Sequence, residues 1–147
     1  MSFETVELNG VPAMQVVQEV AGDRTLLRHP GGGYVHGAVE AYVGPARHYA
    51  RRLRTRVDVP DQRQAPEHPF SAPIDDACAA GRALPVPGTP PEEIAIPGDS
   101  AGGAMVITVM RKARAAGLPL PVAAVSFSPW AHLTQSGFLG FGTATAT

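Results

Sequence analysis

Residues 94 to 103 read IAIPGDSAGG: an apolar run, a serine set between glycines, then the start of an apolar helical stretch. No other segment restricts the fold as strongly. In G-x-S-x-G a strand turns abruptly into a helix, which leaves the serine hydroxyl at the tip while the glycines tolerate the crowding around it. Gly98, Ser100 and Gly102 hold the three positions. The segment therefore predicts a nucleophile elbow, with a strand leading in and a helix leading out. A serine that is merely small at a tight turn is the plain alternative, and the rest of the chain has to decide between them.

The flanking sequence supplies the strands and helices such an elbow needs. Phe3 to Leu8 and Val11 to Val17 are extended candidates joined at Asn9-Gly10, where both residues accept positive φ and so suit a tight hairpin turn. Pro12, lacking an N–H, predicts an edge position for the second strand. Thr25 to Leu27 is a short strand running into glycines; Arg56 to Val59 is another, weakened by Asp58 where a buried strand wants an apolar side chain. Between them Ala46, Tyr49, Ala50 and Leu53 repeat at helical spacing, with Arg51, Arg52 and Arg54 on the solvent side and near the carboxyl end, which the helix dipole favours. Ile74, Ala77, Cys78, Gly81 and Leu84 mark a second helix, with Asp75 and Asp76 at its positive end. Glu93 to Ile96 leads to the elbow, Ala104 to Ala115 follows as a helix ended by Gly117 and Pro119, and Val122 to Phe127 is the last strand. Strands separated by helices imply parallel pairing, hence an α/β fold: a mostly parallel sheet with an N-terminal antiparallel hairpin and helices on both faces.

Composition narrows the function classes. The 147 residues are 44% apolar and 17% charged, which suits one soluble domain over 1–147 with a core of its own. A net charge of -1 offers nothing to nucleic acid or an anionic membrane. The N-terminal MSFETVEL lacks a basic region followed by an apolar segment, and no run reaches membrane-spanning length, so a cytoplasmic protein without a membrane span is expected. Cys78 is the single cysteine and lies on an apolar helical face, a place for packing rather than chemistry. No H-E-x-x-H or similar spacing is present, so neither metal nor cofactor is expected.

GDSAGG at 98–103, APEHPF at 65–70, DDA at 75–77, GLPLP at 117–121 and SPW at 128–130 occur in an order that resembles the hormone-sensitive-lipase-like branch of the α/β-hydrolases, the HGGG-type carboxylesterases. The likeness runs from about Gly10 to Gly137. It implies a partial α/β-hydrolase fold, a small-molecule ester as partner, and hydrolysis of short-chain carboxylic esters through a serine nucleophile and an acyl-enzyme. Relative to that family the chain is expected to be truncated, without the cap over the substrate and without the C-terminal strands whose loops carry the triad acid and histidine.

A serine hydroxyl is a poor nucleophile until a base takes its proton, and the tetrahedral oxyanion needs donors already aimed at it. By resemblance Ser100 is the nucleophile, and the backbone N–H groups of Ala101, Gly31 and Gly32 form the oxyanion hole. A phosphate cradle is a poorer reading of the glycine loop, because the third glycine of G-x-G-x-x-G is replaced by His36 and no Gly-Lys-Ser/Thr occurs. The loop also departs from the family: Pro30 stands where the motif has histidine, His29 lies one position early, and Arg28 falls where a strand wants an apolar residue. His29 and His36, on either side of the loop, are the candidate replacement bases. His48 belongs to a helix face, His68 to the structural APEHPF segment, and His132 to a surface loop after SPW, while Asp99 reads as a structural hydrogen-bond partner rather than a triad acid.

Two readings stay open on sequence alone. One is a working esterase that uses Ser100 with an unorthodox base or a group from another chain; the other is a catalytically impaired remnant acting as a small-ligand or protein binding module. A strand at 122–127 with nothing strand-like after it except Phe138 to Phe141 would leave an unpaired edge, which predicts a homo-oligomer with that strand, Trp130 and the tail at the contact.

Overall fold

The computed structural model describes residues 1–19, 21–84 and 89–132; Phe138 to Phe141 lie outside the described residues. Among the described residues, six strands and three α-helices run β1 Ser2–Leu8, β2 Val11–Val17, β3 Thr25–Leu27, α1 Val43–Leu53, β4 Arg56–Pro60, α2 Ala72–Ala83, β5 Ile94–Asp99, α3 Ala101–Ala115 and β6 Ala123–Phe127. The six strands form one sheet in the order β1-β2-β4-β3-β5-β6. The first three of these pair antiparallel and β4, β3, β5 and β6 pair parallel, so the sheet is mixed and mostly parallel with an antiparallel hairpin, as expected.

The hairpin turns at Asn9 and Gly10, with φ of 52° and 84°, the left-handed pair that a two-residue turn requires. Pro12 does not put β2 at an edge. β2 lies between β1 and β4, and the β2–β4 ladder begins only at Ala13 opposite Pro60, so the missing N–H of Pro12 falls before it.

Alternation along the strands sends successive side chains to opposite faces. Leu26, Val57, Val59 and Val16 pack with Ala46 and Ala50 of α1 on one side. Leu27, Ile94 and Ile96 pack with Ala77, Cys78 and Ala80 of α2 and Met105, Val106 and Val109 of α3 on the other. Helices thus cover both faces, and the Cys78 side chain serves packing. Leu53 departs from the expected inward stripe of α1. It is 53% exposed, where the chain leaves the helix through the left-handed Arg54.

Asp58 does not weaken β4. It is fully buried but accepts from Gln15 Nε2 at 2.9 Å and Arg56 Nε at 3.1 Å, which supplies the partners a buried carboxylate needs. Burial still pushes its carboxyl up, against the pull of Arg56 and Gln15. The parallel strands β3, β5 and β6 all finish at the same end of the sheet, where the glycine loop, the elbow and the SPW segment leave them.

Candidate active site

The elbow forms because β5 continues past the expected Ile96 to Asp99 in parallel register with β6, and α3 starts at Ala101 instead of Ala104. One residue makes the turn. Ser100 has φ 53° and ψ -120°, a conformation that costs a non-glycine residue free energy and persists only where its surroundings hold it. Three backbone hydrogen bonds hold it: the Ser100 N–H donates to Phe127 O at 3.0 Å, and Ser100 O accepts from Trp130 N at 2.9 Å and Ala104 N at 3.1 Å. The side chain is exposed and makes no capping bond to the helix. The orphan N–H groups and positive dipole end of α3 therefore open beside the hydroxyl.

The glycines are sterically required. A Cβ on Gly98 would collide with the backbone oxygen of Gly102 and lie 2.9 Å from Val106 Cγ2; one on Gly102 would collide with His29 O and lie 2.7 Å from Pro30 O. The second collision shows how the two segments meet, since the backbone of residues 29–30 rests directly on the first turn of α3.

The glycine loop is held to the elbow along its length. The His29 N–H donates to Pro97 O at 3.0 Å. Gly32, Gly33 and Tyr34 have φ of 117°, 64° and 66°, and Val35 and His36 both donate to Gly32 O, closing a tight turn. Tyr34 Oη donates to Ala101 O at 3.3 Å, and the Tyr34 ring stacks on Trp130 with centroids 6.0 Å apart. Gly31 fits between Asp99 and Tyr42, and burial together with the Asp99 charge pushes the Tyr42 hydroxyl up, against the pull of the Gly31 backbone and Arg28. The structure thus sets Gly31 and Gly32 on the loop that packs against the Asp99-Ser100-Ala101 turn.

The histidines are dispersed. His29 is completely buried, neither ring nitrogen has a hydrogen-bond partner among the described residues, and burial lowers its pKa to about 4. His36 is exposed and follows the glycines of the same loop, with its backbone and its Nδ1 against Gly32. His48 lies on the exposed face of α1, His68 in the exposed APEHPF segment, and His132 at the exposed end of the SPW segment.

Two ion pairs were not foreseeable as pairs. Arg28 Nη2 donates to Asp99 Oδ1 at 2.8 Å, and Arg63 grips Asp76 through Nε and Nη2, at 2.7 Å for the shorter contact. The only sequence signal for the first was an arginine in an apolar position. Among the described residues no group of three or more His, Cys, Asp or Glu could hold a metal, and no helix is long and apolar enough to cross a membrane. An apolar cavity of about 310 Å³ lies between α2 and α3, lined by Cys78, Val109, Met110, Leu118 and Pro121 rather than by the elbow.

Residues 26–139 match the model of a family described as having the alpha/beta hydrolase fold. The chain is 39% identical over 114 residues to an acetyl-hydrolase of Streptomyces hygroscopicus, covering 78% of this chain and 38% of that protein. It is 39% identical over 98 residues to the esterase LipI of Mycobacterium tuberculosis, covering 64% of this chain and 31% of that one. The crystal structure of an esterase from the bacterial hormone-sensitive lipase family superposes with a TM-score of 0.88 at 41% identity, over 92% of this chain and 46% of that chain. The chain spans less than half the length of each.

Proposed function

Since the chain belongs to the α/β-hydrolase fold family, among relatives of the hormone-sensitive-lipase type, we propose that it carries the nucleophile of a serine carboxylesterase acting on short-chain carboxylic esters. The observation that supports this most is the backbone of Ser100, φ 53° and ψ -120°, at a strand-to-helix junction sealed by Gly98 and Gly102. In this reading Ser100 Oγ attacks the ester carbonyl as its proton passes to a base. The oxyanion is received by the N–H groups of Ala101 and of Gly31 and Gly32 in the glycine loop. Collapse expels the alcohol, and water releases the acid from the acyl-serine.

Of the two candidate bases, burial makes His29 a poor proton acceptor, since its charged form is stabilised only below pH about 4. His36 is exposed and stands against Gly32, so it takes that role here. The partners implied are a small ester and a second copy of the chain at β6.

The test is hydrolysis of p-nitrophenyl acetate, together with fluorophosphonate labelling, by the wild type, Ser100→Ala and His36→Ala. Loss of both signals in Ser100→Ala, and of most turnover in His36→Ala, is expected. Label that persists in Ser100→Ala would remove Ser100 from the site. A folded wild type that neither turns over nor takes label would return the binding-module reading.

A further inference from the structure

Arg28 is the residue the proposed chemistry leaves without a task, yet it is among the most constrained side chains beside the elbow. Only 8% of the side chain is exposed. Its guanidinium carbon lies 5.0 Å from the Tyr42 ring centroid and 5.7 Å from that of Tyr49, and Nη2 donates to Asp99 Oδ1 at 2.8 Å. Nε and Nη1 are buried without an acceptor among the described residues. Asp99 keeps 39% of its side chain exposed, so only the arginine is buried, and a partly screened pair with two donors left unsatisfied adds little to stability over apolar side chains of similar volume; packing alone gives no reason for an arginine here.

Geometry gives one. Asp99 is joined by a peptide bond to Ser100, and Gly31 packs on the same carboxylate: a Cβ on Gly31 would lie 2.9 Å from Asp99 Oδ2 and 3.3 Å from Tyr42 Oη. Arg28, three residues before Gly31, therefore ties the exit of β3 to the exit of β5. These are the segments that carry the proposed oxyanion donors and the proposed nucleophile.

We propose that Arg28 is a positioning residue that, through Asp99 and Gly31, fixes the glycine loop relative to Ser100. The inference rests on the reading of Ser100 as nucleophile. Arg28 touches no reacting atom; it holds the donors where an oxyanion on Ser100 would meet them.

The experiment compares the wild type with Arg28→Met, Arg28→Lys and the double variant Arg28→Met/Asp99→Asn. For each, the second-order rate of fluorophosphonate labelling at Ser100, the thermal midpoint and amide hydrogen exchange over 31–35 are measured. Arg28→Met is expected to slow labelling on the order of tenfold or more, since small misplacements of catalytic groups cost that much, and to speed exchange in the loop. Arg28→Lys should regain part of the rate. The double variant leaves no charge unpaired and should recover the thermal midpoint without recovering the rate. That split also keeps the test decisive if Arg28→Met alone does not fold. Labelling by the double variant at the wild-type rate would overturn the positioning role, because Arg28 would then serve only to neutralise Asp99. A folded wild type that takes no label is a different outcome, overturning the reading of Ser100 and this inference together.

Discussion

β5 and β6 are hydrogen-bonded neighbours with opposite surroundings. β5 lies between β3 and β6, and Ile94, Ile96, Pro97 and Gly98 are buried. β6 is the outer strand of the sheet among the described residues, with Val125 43% and Phe127 48% exposed. Both nevertheless shape the elbow. β5 does so through side chains that are absent, since glycine at 98 lets the first turn of α3 come down on the strand. β6 and the segment after it do so through main chain, with Phe127 O and Trp130 N bonding the two sides of Ser100 and Ser126 Oγ donating to Gly103 O at 2.9 Å. The difference teaches that the elbow is determined by backbone meeting backbone. Identity matters where a Cβ would intrude, and much less along the outer strand.

The largest expected effect tests that claim directly. Gly98→Ala and Gly102→Ala each drive a methyl group into main chain rather than into a side chain that can turn away. Overpacking a core costs about 1–3 kcal/mol and sometimes more, and we expect the upper end, about 3 kcal/mol, together with loss of Ser100 labelling. Gly22→Ala is the control, because a Cβ there meets only Arg54 O at 3.7 Å, an ordinary van der Waals contact, and its backbone is not left-handed. It should be neutral or gain up to about 1 kcal/mol. Chemical denaturation decides; a Gly102→Ala protein within about 0.5 kcal/mol of wild type would end the backbone-contact account.

These contrasts also mark what the sequence could reveal. The hairpin was legible because Asn9-Gly10 obeys a local steric rule, and the serine turn because G-x-S-x-G obeys another. The α3 start was misplaced by three residues because Gly102 and Gly103 look like loop residues, whereas they are helical glycines required by close approach to residues 29–30 and to Ser126. Arg28 was visible as an oddity but its partner was not, since Asp99 lies 71 residues away. The edge inference from Pro12 failed because a proline at the start of a strand need not interrupt the neighbouring ladder. The histidines were the least legible, because their chemistry depends on burial, which no local pattern near residues 29 and 36 encodes.

His29 carries the next effect, and it extends the comparison to the interior beside the elbow. An unfolded histidine takes up a proton near pH 6.5, whereas the folded one resists until about pH 4. Between those values the unfolded chain holds more protons, so stability falls as the pH is lowered, by on the order of 3 kcal/mol across the window. Asp58 and Asp61, whose carboxyls burial raises, act in the opposite sense, so the measurement is the difference between wild type and His29→Leu. The variant should lose the slope between pH 6.5 and 4 and, with two unpaired nitrogens removed, be no less stable at pH 7. Equal acid slopes in the two proteins would mean that His29 reaches water or a partner.

The smallest effect on the fold belongs to β6. Its Ala123, Ala124, Val125 and Phe127 are exposed and, among the described residues, no strand pairs with its outer edge. Unpaired N–H and C=O groups beside apolar side chains are a template for a further strand. Our proposal is that a second copy supplies it, through a two-fold contact in which β6 pairs with β6 and Trp130 lies nearby. Val125→Lys tests this cleanly, because the side chain is already in solvent and the residue is bonded through main chain. Its stability should stay within about 0.5 kcal/mol of wild type, as for other exposed positions. Two lysines brought together across a two-fold axis repel, however, so sedimentation at micromolar concentration should find the wild type as a dimer and the variant as a monomer. A monomeric wild type at that concentration would sink the proposal. A dimer indifferent to Val125→Lys would move the contact off β6, and either result would leave this strand doing for the elbow only what its main chain does.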